Sequence, residues 1–274
     1  MKISEHVYNM HIDDGHIAHP GGSNNFFVGD PDKEMILIDT GDYEKEWINQ
    51  ILDYYDHLGK PKLKAILITH GHYDHIGGLD RIYEATKAPV MAHPLLADKL
   101  SKIIGNREAI ISLQDEELIS VSGIHLKALF TPGHKEDHIC YYLESDLVMF
   151  TGDSVLGSSS TSVKNLSEYM KSLDYVLKFK HDIVCPAHGP VAMPPKGSDL
   201  INSQKMHRIK RETQILDSLE KGLTEINDIV NDIYPRHLTE GLKPIASHNV
   251  RTHLIKLLDD GVIQMKDEIF NLIR

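Results

Sequence analysis

Two cysteines in 274 residues, Cys140 and Cys185, cannot build a disulfide framework, and both lie in apolar, strand-like runs. They read as buried, reduced thiols, which points to a cytoplasmic chain. No apolar run is long enough to span a bilayer, and the opening MKISEHVYNMHIDDG lacks the apolar core of a secretory signal. Neither a membrane protein nor a secreted scaffold is expected. Positive charge is scarce as well. Against 40 Asp and Glu stand 29 Lys and Arg, a net charge of −11. That excludes a protein that coats nucleic acid through bulk charge. No repeat, low-complexity tract, GxSxG, phosphate-loop or GxGxxG pattern occurs. Histidine is what the chain has in excess, 18 in all, and their positions carry the information.

Up to about residue 191, short apolar strands alternate with helical stretches. The pattern predicts strands at 26–29, 35–39, 65–69, 89–92, 124–130, 139–143, 147–151 and 182–185, and helices at 44–58, 76–86, 94–103 and 166–179. Continuous apolar strands need cover on both faces, so an α/β fold of sheets covered by helices is expected. The breaker-rich VAMPPKGSD (191–199) marks a boundary. Three helices follow: one over 199–220, one capped by Thr224, and one capped by Ser247 with Gly261 just past its end. A strand pair at 262–265 and 269–272, joined by a Lys266-Asp267 turn, closes the chain. Helices followed by such a hairpin outline a winged helix. The expected division is a catalytic domain over 1–198 and a linking helix with a small winged-helix-like module over 199–274. From Ser203 onward eleven Lys and Arg balance eleven Asp and Glu, and only Arg251 and Lys256 suit a contact from the last helix. Specific DNA binding is therefore not expected, and a structural or substrate-covering role is.

Residues 68–78 read ITHGHYDHIGG, with AILIT before them and an amphipathic helical pattern after them. His70, His72, Asp74 and His75 thus fall on a strand-to-helix turn, the usual place for a site in an α/β fold. Imidazole nitrogen and carboxylate oxygen are zinc ligands, usually four per ion. His70 and His72 can share one ion, and Asp74 and His75, offset from them, a second. Neither pair is complete. Downstream, His134 in TPGHKEDH, Asp153 in FTGDS and His188 in CPAHGP each follow an apolar run and stand beside glycine or proline. Each sits at the mouth of a sheet. One such histidine alone reads as a surface or capping residue; the stations together read as a shared metal site.

The set HGHYDH, GH, GD and AHG resembles the metallo-β-lactamase superfamily of metal-dependent hydrolases over about residues 20–190. The resemblance implies a four-layered αββα sandwich with the site at one edge. It implies that His70, His72 and His134 hold a first metal, that Asp74, His75 and His188 hold a second, and that Asp153 bridges the two. Asp39 in LIDTG matches an aspartate that supports the ligands from behind. Two divalent ions would be the cofactors, zinc first, with manganese or iron as alternatives. Asp153 stands where the best-known zinc β-lactamases carry cysteine, and His72 where flavodiiron oxidoreductases carry glutamate, which disfavours both. The bridging aspartate favours two metals, as in glyoxalase II-like thioesterases, lactonases and RNA-processing nucleases. GDSVLGSSSTSVKNLSEYMKSL (152–173), HRIKRETQIL (207–216) and the tail are similar to the lactamase-beta-like subgroup. That subgroup includes a mitochondrial single-strand endoribonuclease and thioesterases acting on carrier-bound polyketides. His138 also matches it and reads as support for a ligand.

The activity this implies is hydrolysis of a small-molecule acyl substrate (a thioester, ester or lactone) by a dimetal-bound hydroxide. Asp74 would orient the nucleophile and take its proton. An open dimetal site also admits promiscuity across related substrates. The alternative is cleavage of single-stranded RNA, for which Lys205, Arg208, Lys210 and Arg211 offer a basic strip; the plainer reading of those four is a solvated helix face. A third reading, a mono-iron sulfur dioxygenase, uses the same ligand set. A non-enzymatic regulator would have lost ligands, and none is missing. His11, His16 and His19 fall on an N-terminal hairpin that can overhang the site. His93 ends a strand, and His248 and His253 are expected on helix surface. The run 158–162 either meets substrate or forms a solvated loop. A homodimer is the common state of soluble chains and is the expectation here.

Overall fold

Two β-sheets lie face to face at the centre of the computed structural model, which describes residues 1–13, 15, 19, 21–235, 240–267 and 269–273. His16 lies outside the described residues. The first sheet holds six strands in chain order: β1 (Val7–Ile12), β2 (Ser23–Gly29), β3 (Glu34–Ile38), β4 (Lys62–Leu67), β5 (Val90–Ala92) and β6 (Ile110–Ser112). The second runs β11 (Ile183–Pro186), β10 (Val148–Gly152), β9 (Ile139–Leu143), β8 (Ile124–Phe130), β7 (Leu118–Val121). Helices α1 (Lys45–His57), α2 (Tyr73–Ile76), α3 (Leu79–Thr86) and α4 (Ala97–Ile104) accompany the first sheet, and α5 (Leu166–Val176) and the start of α6 (Lys196–Glu220) cover the second.

Strand alternation decides the layers. In β3, Met35 and Leu37 pack toward Trp47, Ile51 and Leu79, while Ile36 and Ile38 face the other sheet. In β9, Ile139, Tyr141 and Leu143 fill the space between the sheets, while Cys140 and Tyr142 meet Tyr169 and Leu173 of α5. Strands buried on both faces read as unbroken apolar runs, which is why these were predictable. The result is a four-layered αββα sandwich, as expected. Strands β1, β6 and β7 were not predicted. All three are edge strands. They are short or interleaved with polar residues such as Asn9 and His11, so their periodicity is weak. The helix expected over 76–86 is broken at Gly77 and Gly78. A Cβ on Gly77 would strike the Tyr43 backbone and lie 2.7 Å from the Asp42 carbonyl carbon. The loop after β3 is thereby locked onto the turn that carries the histidines.

The C-terminal module contains α7 (Ile226–Ile233), α8 (Lys243–Asp259) and the hairpin β12 (Ile263–Lys266) and β13 (Ile269–Leu272). Its winged-helix outline is the expected one. Two caps differ. Glu225, not Thr224, precedes α7, and Ser247 lies inside α8, which starts at Lys243 with Pro244 in its first turn. The long α6 serves both cores: Ile201 packs under the second sheet, whereas Ile215 and Leu219 pack with Val250, Leu254 and Phe270. His253 is fully buried rather than on the surface. Cys140 and Cys185 are buried and free, and burial pushes the Cys140 thiol up to about 12. Among the described residues no helix is long and apolar enough to cross a membrane.

Candidate metal centre

Four strand ends open onto one edge of the sandwich. His70 and His72 follow β4, and Asp74 and His75 ride on α2. His134 follows β8, Asp153 follows β10, and His188 follows β11. Gly133 is a condition for the second of these stations. Its φ of +136° suits glycine, and any Cβ there would run into the backbone of Tyr169. The turn before His134 therefore sits directly on α5.

The side chains converge around two points, the first made of His70, His72, His134 and Asp153 and the second of two overlapping groups that share His188. In the first, His72 Nδ1 lies 2.8 Å from His70 Nε2 and 3.0 Å from His134 Nε2. Asp153 Oδ2 stands 3.8 and 3.6 Å from His70 and His134. In the second, His188 Nε2 is 3.1 Å from Asp74 Oδ2, and Asp153 Oδ1 is 3.4 Å from both His75 Nε2 and His188 Nε2. Asp153 thus offers one oxygen to each group. All seven residues picked from the sequence as ligands are brought together here.

Behind these atoms lies a ring of supports. Asp39 Oδ2 takes a hydrogen bond from His75 Nδ1 at 2.7 Å, and its oxygens also receive the Thr69 amide and hydroxyl. His188 Nδ1 meets Ser23 Oγ at 2.9 Å. His134 Nδ1 donates to the Ser162 carbonyl at 2.7 Å. His138 Nε2 accepts from the Asp153 amide, and its Nδ1 meets Thr131 Oγ1. Each bond commits the outer nitrogen of one of these histidines, or the backbone beside Asp153, and leaves the inner lone pair facing the centre.

These residues fit divalent metal. His75 Nε2, His188 Nε2 and Asp153 Oδ1 are buried with no hydrogen-bond partner, although such atoms are normally satisfied. In the first group three imidazole nitrogens crowd together, an arrangement that a shared cation explains and a hydrogen-bond network does not. Charge states agree. Burial, reinforced by neighbouring imidazoles, holds His70 well below the usual histidine range and His72 at about 4, so both are neutral. Burial opposes ionisation of Asp74 and Asp153, but the surrounding histidines prevail and hold both well below the usual carboxylate range. Neutral imidazole and ionised carboxylate are the metal-binding forms. His75 is the exception. Burial is outweighed by the Asp39 and Asp153 carboxylates, which raise it. A positive charge is favoured at that spot, and a metal would supply it.

The centre opens into a cleft of about 970 Å³. One wall is Tyr73, Leu156 and residues 159–162; the other is Leu242, Pro244, Ile245, His248 and Asn249 of the C-terminal module. The serine-rich run therefore borders the cleft, and Thr161 in it is buried. His19 was expected only on an overhanging hairpin. It reaches the second group, with Nε2 3.2 Å from Asp74 Oδ2 and its ring stacked on His188 at 4.5 Å. No motif signals that contact. His11 stays on β1, bonded to Asn24. The basic strip is dismantled: Lys205 pairs with Asp174, Arg208 is buried, and Arg211 stacks on Tyr234, leaving Lys210 exposed.

A family model for the metallo-beta-lactamase superfamily matches residues 19–188, and one for the beta-lactamase associated winged helix domain matches residues 226–270. The chain is 31% identical to the beta-lactamase-like protein 2 homolog of Drosophila melanogaster, covering 89% of this chain and 85% of that protein. It is also 31% identical to an atrochrysone carboxyl ACP thioesterase of Pseudocercospora fijiensis, covering 88% and 71%. A crystal structure of a beta-lactamase domain protein from Burkholderia ambifaria superimposes with a TM-score of 0.81 over 100% of this chain and 93% of that one, at 18% identity, a likeness of fold.

Proposed function

This chain belongs to the metallo-beta-lactamase superfamily of hydrolases, and on that premise we propose that it hydrolyses a small-molecule acyl substrate, a thioester, ester or lactone, with two divalent metal ions as cofactors. The observation that carries this reading is the pair of His/Asp groups sharing Asp153 at the floor of a cleft with a largely apolar wall. His70, His72, His134 and Asp153 would hold one ion, and Asp74, His75, His188 and Asp153 the other. Ions bound there, zinc being the first expectation, would supply Lewis acidity and bring the pKa of water to about 7.

The protein's own groups do the rest. Asp74 is ionised and partly open to the cleft, so its carboxylate can align a water and accept a proton from it. Leu156, Leu242 and Ile245 give an acyl chain apolar surface and exclude water around the carbonyl. An acyl rather than a phosphodiester substrate is supported by two things. Relatives named as carrier-protein thioesterases match most of the chain. Three of the four cations of the α6 strip that a polyanion would need are turned to partners within the protein, and Lys210 alone stays exposed. The test is a panel of an acyl-pantetheine thioester, a p-nitrophenyl ester, a lactone and an end-labelled single-stranded RNA, assayed with metal-loaded protein and with Asp74→Asn. Thioester turnover that falls in the variant supports the proposal. RNA cleavage that falls in the variant, without acyl turnover, replaces it.

A further inference from the structure

We propose that Arg208 and His248 position the ligand His134 through the backbone of residues 161–163, so that the linking helix and the winged-helix module tune one metal position and not the other. This rests on the two-metal reading of the site. His134 presents Nε2 to the first group because its Nδ1–H is committed to the Ser162 carbonyl. A carbonyl can aim a ring only if its own peptide is fixed. Ser162 is exposed and lies outside any helix or strand, so no ladder of its own fixes it, although its carbonyl also takes the Thr161 hydroxyl at 3.2 Å.

Its neighbours do. Arg208 of α6 donates from Nη2 to the Thr161 carbonyl at 2.6 Å. His248 of α8 donates from Nε2 to the Val163 carbonyl at 3.1 Å. The two grips flank the carbonyl that holds His134. Arg208 is buried, with its guanidinium 5.6 Å from the Tyr169 ring centre. Tyr169 in turn donates to the Ser154 carbonyl at 2.7 Å, next to Asp153. A buried guanidinium is costly to place, and a fixed planar donor is what a precise carbonyl clamp needs. Among the described residues, the outer nitrogens of the two imidazoles confined to the second group have no such link. His75 and His188 are held by Asp39, just after β3, and by Ser23 of β2. Plain interdomain adhesion would affect both metals or neither. Positioning affects one.

The experiment is calorimetric titration of metal-free protein with Zn²⁺, with absorption spectra of the Co²⁺ form, for wild type, Arg208→Met, Arg208→Lys and His248→Phe. The expected result is two binding events in the wild type. In Arg208→Met and His248→Phe one event weakens about 10–100-fold, the usual cost of losing an outer support of a ligand, and the other is unchanged. Arg208→Lys, which keeps a donor, recovers part of the loss. Unchanged titrations, or two events weakened alike in protein with a wild-type melting curve, would overturn the proposal. If Arg208→Met does not fold, His248→Phe decides by the same criterion, because that side chain is exposed. A single event in the wild type would overturn the two-metal reading by itself; the positioning claim then stands or falls on whether that event weakens in the variants.

Discussion

His75 and His134 are both buried imidazoles that turn Nε2 to the centre, yet their outer nitrogens find different company. His75 leans on the Asp39 carboxylate, a charged group itself fixed by two bonds from Thr69. His134 leans on a neutral carbonyl in a loop that α6 and α8 hold from outside the sandwich. The first arrangement is local to the first sheet and indifferent to the C-terminal module. The second runs through the module that also forms the cleft wall. One half of the centre is therefore anchored in the fold, and the other is tied to the surface that substrate would touch.

The strongest way to break this contrast is to remove what the halves share. Asp153→Ala should abolish tight binding of both ions and lower acyl hydrolysis by about 10³-fold, the scale of losing a preorganised charge-stabilising group. Metal content and initial rates check it. One ion retained at wild-type affinity would show that Asp153 serves only one half. Next in size is Asp39→Ala, which removes the carboxylate behind His75 directly and, more remotely, loosens Thr69, whose hydroxyl meets His70 Nδ1 at 3.1 Å. It should weaken the event that is insensitive to Arg208 about 10–100-fold and affect the other far less. If the same event responds to both substitutions, the halves are not separately supported.

The same contrast explains what could be read from the sequence. Asp39 was visible only through the family resemblance, because LIDTG matches a motif whose aspartate supports the ligands, and a side chain can carry such a match. The seven converging residues were visible because His70, His72, Asp74 and His75 crowd into one strand-to-helix turn, and His134, Asp153 and His188 each follow a strand beside glycine. The carbonyl of Ser162 was not visible, since every residue carries one and only tertiary placement makes it a partner. Arg208 was misread for a related reason. Its neighbours in HRIKRE suggest a solvated strip, and only the docking of α6 on Tyr169 buries it. His19 was underestimated because a histidine in a loop has no periodicity to place it. Among the strands, those covered on both faces announced themselves, and the edge strands β1, β6 and β7 did not.

Acid should loosen the module side. His253 on α8 donates from Nδ1 to the Asn249 carbonyl at 2.7 Å. Burial first, then the Arg208 and Arg211 charges facing it from α6, holds it at about 4 against 6.5 for an open histidine. Between those values the folded chain carries a neutral ring and the unfolded chain a protonated one, so unfolding takes up a proton. The stabilisation is complete above about pH 6.5 and is lost as pH falls toward 4, by up to about 3 kcal/mol. His253→Leu cannot titrate, so its stability relative to wild type should rise as the pH of urea unfolding is lowered from 7 to 4.5. Parallel pH dependences in the two proteins would rule this out.

The smallest expected effect concerns the wall itself. Ile245 is largely exposed at the start of α8 and faces the cleft. Its contact with an acyl chain would bury a few methylenes, so Ile245→Ser should cost about 1 kcal/mol of binding, roughly fivefold in KM for a long-chain thioester. An acetyl thioester is too short to reach it and should show no change. Because the contact is made equally in ground state and transition state, the loss falls on KM rather than on kcat. A drop in kcat would carry a different meaning. Ile245 sits three residues before His248, so a kcat effect would indicate that disturbing the wall also disturbs the grip on Val163 and, through it, His134. The KM-against-kcat split in this one variant thus separates a wall that only binds substrate from a wall that transmits its position to the metal.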